Sequence, residues 1–533
     1  MKKRILSILL ATAMVATMAV GCGKNDNKTN ETTKKETTQK SGDGTFTVAM
    51  GYKPNSLQPS AQSSDDLVSA IRPIYEPLFA ETKDGLEYYL ADKLDISEDG
   101  LTYTLHINDK ATWSDGEPVT VKDVLFTIDY GVLAYGGPTS FNMVNGEEVK
   151  FNEVDDKTLE FILPSVYDNY VRTLAQFYPM PAHAFDNDPT KIDDSTYFKT
   201  PGMATSGAYV VSEINEDSFV YTARDDYYRG TPSVKKVIMK TIGSGSTKQI
   251  EFENGGIDYM RVTSAEDLKK YKAASDKYNM YSVSEARLNY LQLNPNGPTM
   301  SNLSQDARRA IFLALNKDDI IDFAWGSDEL AQPANSLITP DQSIYNKNCK
   351  GYDFNLEEAK KLAKSSGLEG KELVYIYNSD RANMEAVATV VQQQLAEIGV
   401  TVKIESCDTS TFFPRFFASK DKELATTWDL GTNGWDSQRG SNCGQAISYF
   451  TNRLCDCGYS DEVSGLAKKA IGTADAKEKQ ELWNTIQDKA LEECWEYPLT
   501  YTNYVMVSQK NVTGLDGSSV IPEFIDYLSI HVD

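Results

Sequence analysis

Apolar residues recur at two spacings along this chain, and each change of spacing marks an element. From Thr45 to Met50 they alternate, with Phe46, Val48 and Met50 opposite Thr45, Thr47 and Ala49, which predicts a strand; Pro54 and Pro59 predict the loop after it. Ile71 to Phe79 reads as a helix-to-loop junction. Leu101, Tyr103, Leu105 and Ile107 share one face of a second strand, with Thr102, Thr104 and His106 on the other, so His106 is expected at the surface. After Trp113-Ser-Asp-Gly116 the spacing lengthens. Thr120 and Asp123 have the form of a capping box, and Val121, Val124, Leu125 and Ile128 fall on one helical face. Further on, a strand at Leu373 to Tyr377 leads to a helix with Met384, Val387, Val391, Leu395 and Ile398 on one side and Gly399 at its end. Val400, Val402 and Ile404 follow as a strand. This is a βαβ unit, which requires a partly parallel sheet with a right-handed crossover. A long helix is predicted from about Ala474 to Glu493, stopped before Pro498. The pattern is that of an α/β protein without internal repeats.

The first 44 residues follow neither spacing. Lys2, Lys3 and Arg4 precede an apolar run from Ile5 to Val20, short and rich in Ala, Thr and Met, which reads as a secretory signal rather than a membrane span. The run ends Ala19-Val20-Gly21-Cys22, which resembles the bacterial lipobox. Residues 1–21 are then a signal peptide and Cys22 the lipidated N-terminus, although an ordinary secretory signal with Cys22 incidental is the alternative. Residues 23–44 carry no large apolar side chain and cannot offset the entropy of ordering, so 22–44 is expected to be a flexible tether. At about 5 to 6 Å times the square root of its length it spans on the order of 25 Å. The body is thereby expected to be held on the extracytoplasmic face of the cell membrane.

What remains is too long for a single core, so two or three lobes are expected. The formal charge is −24, and loss of Lys2, Lys3 and Arg4 takes it to −27, which disfavours nucleic acid and anionic lipid as partners. Thirty tyrosines and 20 phenylalanines are plentiful for a mean hydropathy of −0.43; most must be core, with some available for the walls of a pocket for organic ligands. Cysteines 349, 407, 443, 455, 457 and 494 lie beyond the signal, where disulfides persist. A short loop closed by Cys443 with Cys455 or Cys457 is the preferred bridge. A metal site on Cys455-Asp-Cys457 lacks a second pair at ligand spacing and a nearby histidine. The sequence shows no nucleophile elbow, His-Glu-x-x-His or phosphate-loop lysine, and Gly243-Ser-Gly-Ser-Thr247 lacks the Lys-Ser spacing of a phosphate cradle. No cofactor or metal is expected, and a secreted hydrolase is a remote alternative because a carboxylate pair need not be close in sequence.

The segment from Tyr103 through Trp113-Ser-Asp-Gly116 to Asp123-Val-Leu-Phe126 resembles the signature of the family 5 solute-binding proteins of bacterial ABC importers. Ile74-Tyr-Glu-Pro-Leu-Phe79, Gly207-Ala-Tyr209, Arg224-Asp-Asp-Tyr-Tyr-Arg-Gly-Thr-Pro232, Gly255-Gly-Ile-Asp258, Arg308-Arg-Ala-Ile311 and Gly458-Tyr-Ser460 occur in the family's order. The resemblance implies a type II periplasmic-binding-protein-like fold of three lobes, two closing on ligand and one extra, with interleaved chain crossings. Lobe I would comprise 45–80, 196–285 and 498–533, lobe II 81–195, and lobe III 286–497. It implies a monomeric, non-enzymatic receptor that captures short peptides between lobes and hands them to ABC permease subunits. Trp113 to Gly116 is expected to be a structural turn.

In the family's peptide receptors an aspartate three residues after a Gly-Trp pair neutralises the peptide amine. Here Gly434-Trp435 is followed by Asp436 at one residue and by Gln438 at three, with Arg439 next. Asp436 is the candidate amine partner, with a loop acid paired to Arg439 as the alternative; Trp435 is the candidate pocket wall, and Asn55 and Ser56 are candidate polar contacts. The displaced acid keeps open an oligosaccharide or another small organic solute as cargo. A nickel chelate is disfavoured, because His106, His183 and His531 are far apart in sequence.

Overall fold

The computed structural model describes residues 44–533 except 61–64, 83–84, 135, 138, 168–169, 176, 244, 419–422, 437–448, 452–456 and 517–525. Chain contacts divide Met1–Gln39 from Lys40–Asp533, and every described element belongs to the second unit. Cys22, Gln438, Arg439, Cys443 and Cys455 therefore lie outside the described residues, and with them the lipid anchor and the expected disulfide. Cys457 is described and buried. No helix among the described residues is long and apolar enough to cross a membrane.

The larger elements follow the predicted spacings. Strand β1 (Thr45–Met50) buries Phe46, Val48 and Met50. A four-stranded antiparallel sheet comes next, from β2 (Ala91–Ile96), β3 (Thr102–Ile107), β4 (Lys150–Asp155) and β5 (Thr158–Ile162) in the order β2-β3-β5-β4. Tyr103, Leu105 and Ile107 face its core, while His106 stays half-exposed beside Asp95 at 3.2 Å. Helix α1 (Val121–Ala134) lies between β3 and β4 in the chain, and one arm of the expected capping box forms: the Thr120 N–H donates to the Asp123 carboxylate at 2.8 Å. The Thr120 hydroxyl turns to that same carboxylate rather than to a backbone N–H. The chain then returns through β6 (Tyr209–Ile214), β7 (Ser218–Ala223) and β8 (Lys236–Thr241), and β8 pairs in parallel with β1 to complete a second four-stranded sheet.

The third sheet is the largest. It runs β9-β15-β10-β14-β12-β13, built from β9 (Tyr259–Val262), β10 (Tyr278–Leu293), β12 (Glu372–Asn378), β13 (Thr401–Cys407), β14 (Leu430–Asp436) and β15 (Glu496–Gln509), with β11 (Ala331–Pro333) paired to β15. Helices α2 (Gln305–Ala314), α3 (Lys317–Ala324), α4 (Leu356–Ser366), α5 (Met384–Ala396) and α6 (Ala476–Glu493) accompany it. The predicted βαβ unit is β12-α5-β13, paired in parallel, with Gly399 at φ +77° after the helix. The predicted stop of α6 differs in one respect. The helix ends at Cys494, which adopts φ 58°, and Pro498 lies inside β15 at an irregularity of the ladder, where a missing N–H is tolerated.

Several motif residues are knots that tie remote segments together. Glu76 is buried and accepts hydrogen bonds from Tyr228 at 2.6 Å, Arg229 at 2.9 Å and Tyr227, joining the Ile74–Phe79 motif to the Arg224–Pro232 motif. Arg224 donates to the carbonyls of Thr112, Trp113, Thr205 and Gly207 at 3.0–3.3 Å. Asp123 accepts from the Trp113 indole at 3.3 Å and the Ala182 N–H at 2.9 Å, so the Trp-Ser-Asp-Gly turn is held from within. Removing one partner of such a buried set leaves the others uncompensated. Glu76→Ala is therefore expected to cost about 3 kcal/mol or more of unfolding free energy, read as a lower urea midpoint with an unchanged slope.

Candidate functional site

Strands β10 and β15 pair along most of their length and carry the chain between two apolar cores. At one end Tyr281, Val283, Tyr504 and Met506 pack against the core that holds β1 and the first two sheets. The core under α2 to α5 takes Val505 and Val507 on the opposite face at that same end, and Leu291, Leu293, Tyr497 and Leu499 at the other end. Between them the ladder becomes polar: Glu285, Arg287 and Asn289 on β10, Thr500 and Thr502 on β15. Glu285, Asn289, Thr500 and Thr502 are buried here, so each needs a hydrogen-bond partner.

The interval is wired internally. Glu285 is 8% exposed; Arg261 on β9 lies 2.8 Å from its Oε1, and the Thr502 hydroxyl donates to its Oε2 at 2.6 Å. The Arg261 guanidinium sits 4.4 Å over the Tyr504 ring. Arg287 Nε donates to Asn289 Oδ1 at 3.2 Å, and the Asn289 amide donates to the Thr500 hydroxyl at 3.1 Å. The ladder also bulges here, between Ser284 and Arg287, with Ala286 in the left-handed region at φ 49°. Leu288 and Tyr290, on the opposite face, pack in a third core with α6.

The sequence-predicted residues fall around this interval to different degrees. Asp436 ends β14 directly opposite Arg287, and Gly434 lies opposite Asn289. A side chain at Gly434 would stand 2.6 Å from both Arg287 Nη2 and Asn289 Oδ1, so the glycine is what lets those side chains cross β14. Trp435 points the other way, 5% exposed within the third core beside Leu288 and Tyr290. Asn55 is exposed, and the Ser56 hydroxyl accepts from the Gln58 N–H at 3.3 Å in the loop that follows β1. Arg261, Glu285, Arg287, Asn289 and Thr502 were not singled out from the sequence. The available signal was the run Ser-Val-Ser-Glu-Ala-Arg-Leu-Asn, polar at five of its eight positions before an apolar strand.

A surface groove of about 430 Å³ lies elsewhere, lined by Phe323, Phe354, Val390 and Glu397. Because β12, β13 and β14 are parallel, the C-terminal half of α5 places it at the sheet edge where those strands begin. Trp435 and Asp436 lie at the edge where β14 ends. Among the described residues, no three His, Cys, Asp or Glu side chains come together to hold a metal ion.

The class of protein follows from comparison with known families. Residues 85–453, more than half of the chain, match the profile of the bacterial extracellular solute-binding proteins, family 5 Middle, and the chain belongs to this family. The oligopeptide-binding protein AppA of Bacillus subtilis (strain 168) is 22% identical over 541 residues, covering 96% of each chain. Among solved structures, the ABC transporter substrate binding protein CtaP of Listeria monocytogenes superposes with a TM-score of 0.82 at 28% identity, covering 93% of this chain and 100% of its own. A putative peptide binding protein AppA from Clostridium difficile gives 0.81 at 26%, covering 92% and 100%. The fold is accordingly the type II periplasmic-binding-protein fold of family 5, and the protein is a solute-binding component of an ABC importer, not an enzyme.

Two expectations attach to the shared strands. Gly434→Ala places a methyl against Arg287 and Asn289 and should lower the thermal midpoint by a few degrees while weakening any cargo held at the interval; melting curves with and without cargo separate the two effects. Farther along β15, Glu496 is 3% exposed, with Tyr459 donating to its Oε2 at 2.6 Å and no hydrogen-bond partner for Oε1 among the described residues. Burial pushes its carboxyl from an ordinary 4.5 up to about 8, against the smaller opposing pull of the Tyr459 hydrogen bond. A carboxyl with a raised value holds its proton more tightly in the folded state. Its contribution is thus full below about pH 4.5 and is lost as pH rises through 8. Glu496→Gln should match the parent protein at pH 4.5 and exceed it at pH 8.5 by a few kcal/mol, measured by urea unfolding at each pH.

Proposed function

We propose that this protein captures short peptides at the polar interval of the β10–β15 ladder and delivers them to the permease of an ABC importer, tethered to the membrane through a lipidated Cys22. The observation that carries this reading is the polar interval itself. It lies on strands shared by two cores, with Asp436 at the end of β14 beside Arg287. A sheet face between cores offers backbone and side-chain partners to an extended chain, which is how peptides are recognised with tolerance of sequence. The names of the oligopeptide-binding and peptide-binding relatives point to the same cargo. Asp436 is the group proposed to neutralise the peptide amine in place of an acid at Gln438.

The proposed lobes are 45–80 with 196–285 and 498–533, then 81–195, then 286–497. On this division the first boundary falls at Ala286 in the bulge of β10 and the last inside β15, so lobes I and III are joined by two paired strands that bend where their ladder is irregular. Bending there closes the lobes on cargo, and the differential contacts of cargo with the closed form select it.

Thermal melts of the purified protein with mixed di- to hexapeptides, the same peptides N-acetylated, and cello- and xylo-oligosaccharides test this reading. Free peptides are expected to raise the midpoint and acetylated ones to raise it less, with the difference removed by Asp436→Asn. Stabilisation by the sugars alone would replace peptide with oligosaccharide as the cargo.

A further inference from the structure

Resting on the peptide reading above, we infer that Arg261 is a subsite for a carboxylate of the cargo. Its guanidinium is held in place on two sides. Glu285, itself buried and oriented by the Thr502 hydroxyl, binds one edge at 2.8 Å, and the Tyr504 ring supports one face at 4.4 Å. The side chain nevertheless keeps 38% of its surface in solvent, on the edge strand of the sheet and beside the polar interval.

This arrangement differs from an ordinary surface ion pair in which side is fixed. A typical exposed pair immobilises two long side chains in water for little gain. Here the acid is the buried, immobile member and the arginine the outer one, so the ordering of the guanidinium is already complete before anything binds. A guanidinium has five N–H donors in a rigid fork, more than one carboxylate edge can occupy. The donors not turned to Glu285 present a planar, preorganised face that matches a second carboxylate. Net charge makes the placement distinctive: the chain carries −24 overall, so a half-exposed guanidinium whose orientation is fixed by a buried acid stands out from a surface that is mostly unfavourable to an anion.

A carboxylate on a peptide has two sources, the C-terminus and an acidic side chain, and the test distinguishes them. Affinities would be measured by calorimetry for mixed di- to hexapeptides in matched forms: C-terminal acid and C-terminal amide, and amides bearing internal Glu or Gln, each on the parent protein, Arg261→Gln and Arg261→Lys. The parent protein is expected to prefer the acid form of one pair by roughly tenfold, the scale of a charge-assisted hydrogen bond. Arg261→Gln should bring that ratio to about one, with Arg261→Lys between them. Because each ratio compares two ligands on the same variant, a change in folding stability does not mimic the result. A preference within the free-acid and amide pair assigns the C-terminus; a preference within the Glu and Gln pair assigns a side chain.

Binding of all forms with equal affinity, or a preference that survives Arg261→Gln unchanged, would overturn the inference while leaving peptide capture intact. Failure of every peptide to bind the parent protein would overturn peptide capture and this subsite together.

Discussion

The antiparallel ladder between β10 and β15 is the constraint on which the rest of the molecule depends. Sixteen and 14 residues long, these strands bond to each other, and between them to β9, β11 and β14 as well. Their ends are fixed by apolar packing, and their centre is fixed by hydrogen bonds among polar side chains. At one end the sheet itself separates two cores, with Tyr504 and Met506 on one face and Val505 and Val507 on the other. Glu285, Asn289, Thr500 and Thr502 fill the middle with a hydrogen-bonded polar set.

The bulge and the polar residues coincide. Extra residues in one strand bend it and re-aim neighbouring side chains, and Glu285 and Ala286 occupy the irregular step between Ser284 and Arg287. The bulge turns Glu285 toward Arg261 and leaves Arg287 over Gly434. A regular ladder would have carried Glu285 and Arg287 along one unbroken face without room for this change. The same irregularity interrupts the regular pairing of β10 and β15 beside those polar residues.

The motifs most visible in the sequence serve the architecture rather than the site. Glu76, Arg224, Asp123 and the Trp113 turn are buried polar knots, and each is satisfied by partners from a distant part of the chain. Asp429 is another: fully buried, it accepts N–H bonds from Thr299, Met300 and Val374 at 2.7–3.0 Å, and burial raises its carboxyl above the ordinary range while those bonds oppose the rise. Such groups tolerate few substitutions because an unmatched partner inside a core is costly, which gives their segments a recognisable form. Arg261 and Arg287 resemble any other charged residues on a half-exposed strand until the pairing of β9, β15, β10 and β14 is known.

What the sequence by itself determined is the local order: β1 and β3 from alternation, α1 and α6 from helical spacing, β12-α5-β13 from the switch between the two, and the family from motif segments in sequence. These follow from interactions over a few residues, where backbone geometry fixes which side chains share a face. Only the tertiary structure decided that Trp435 packs inward while Gly434 opens a passage for Arg287, that Glu285 on one strand holds Arg261 on another, and that Pro498 belongs to a strand instead of stopping a helix. Each of these depends on register between strands remote in the chain, and a shift of one residue would exchange the faces of every side chain involved. Spacing along one strand carries no information about that register; the apolar packing at both ends of β10 and β15 supplies it.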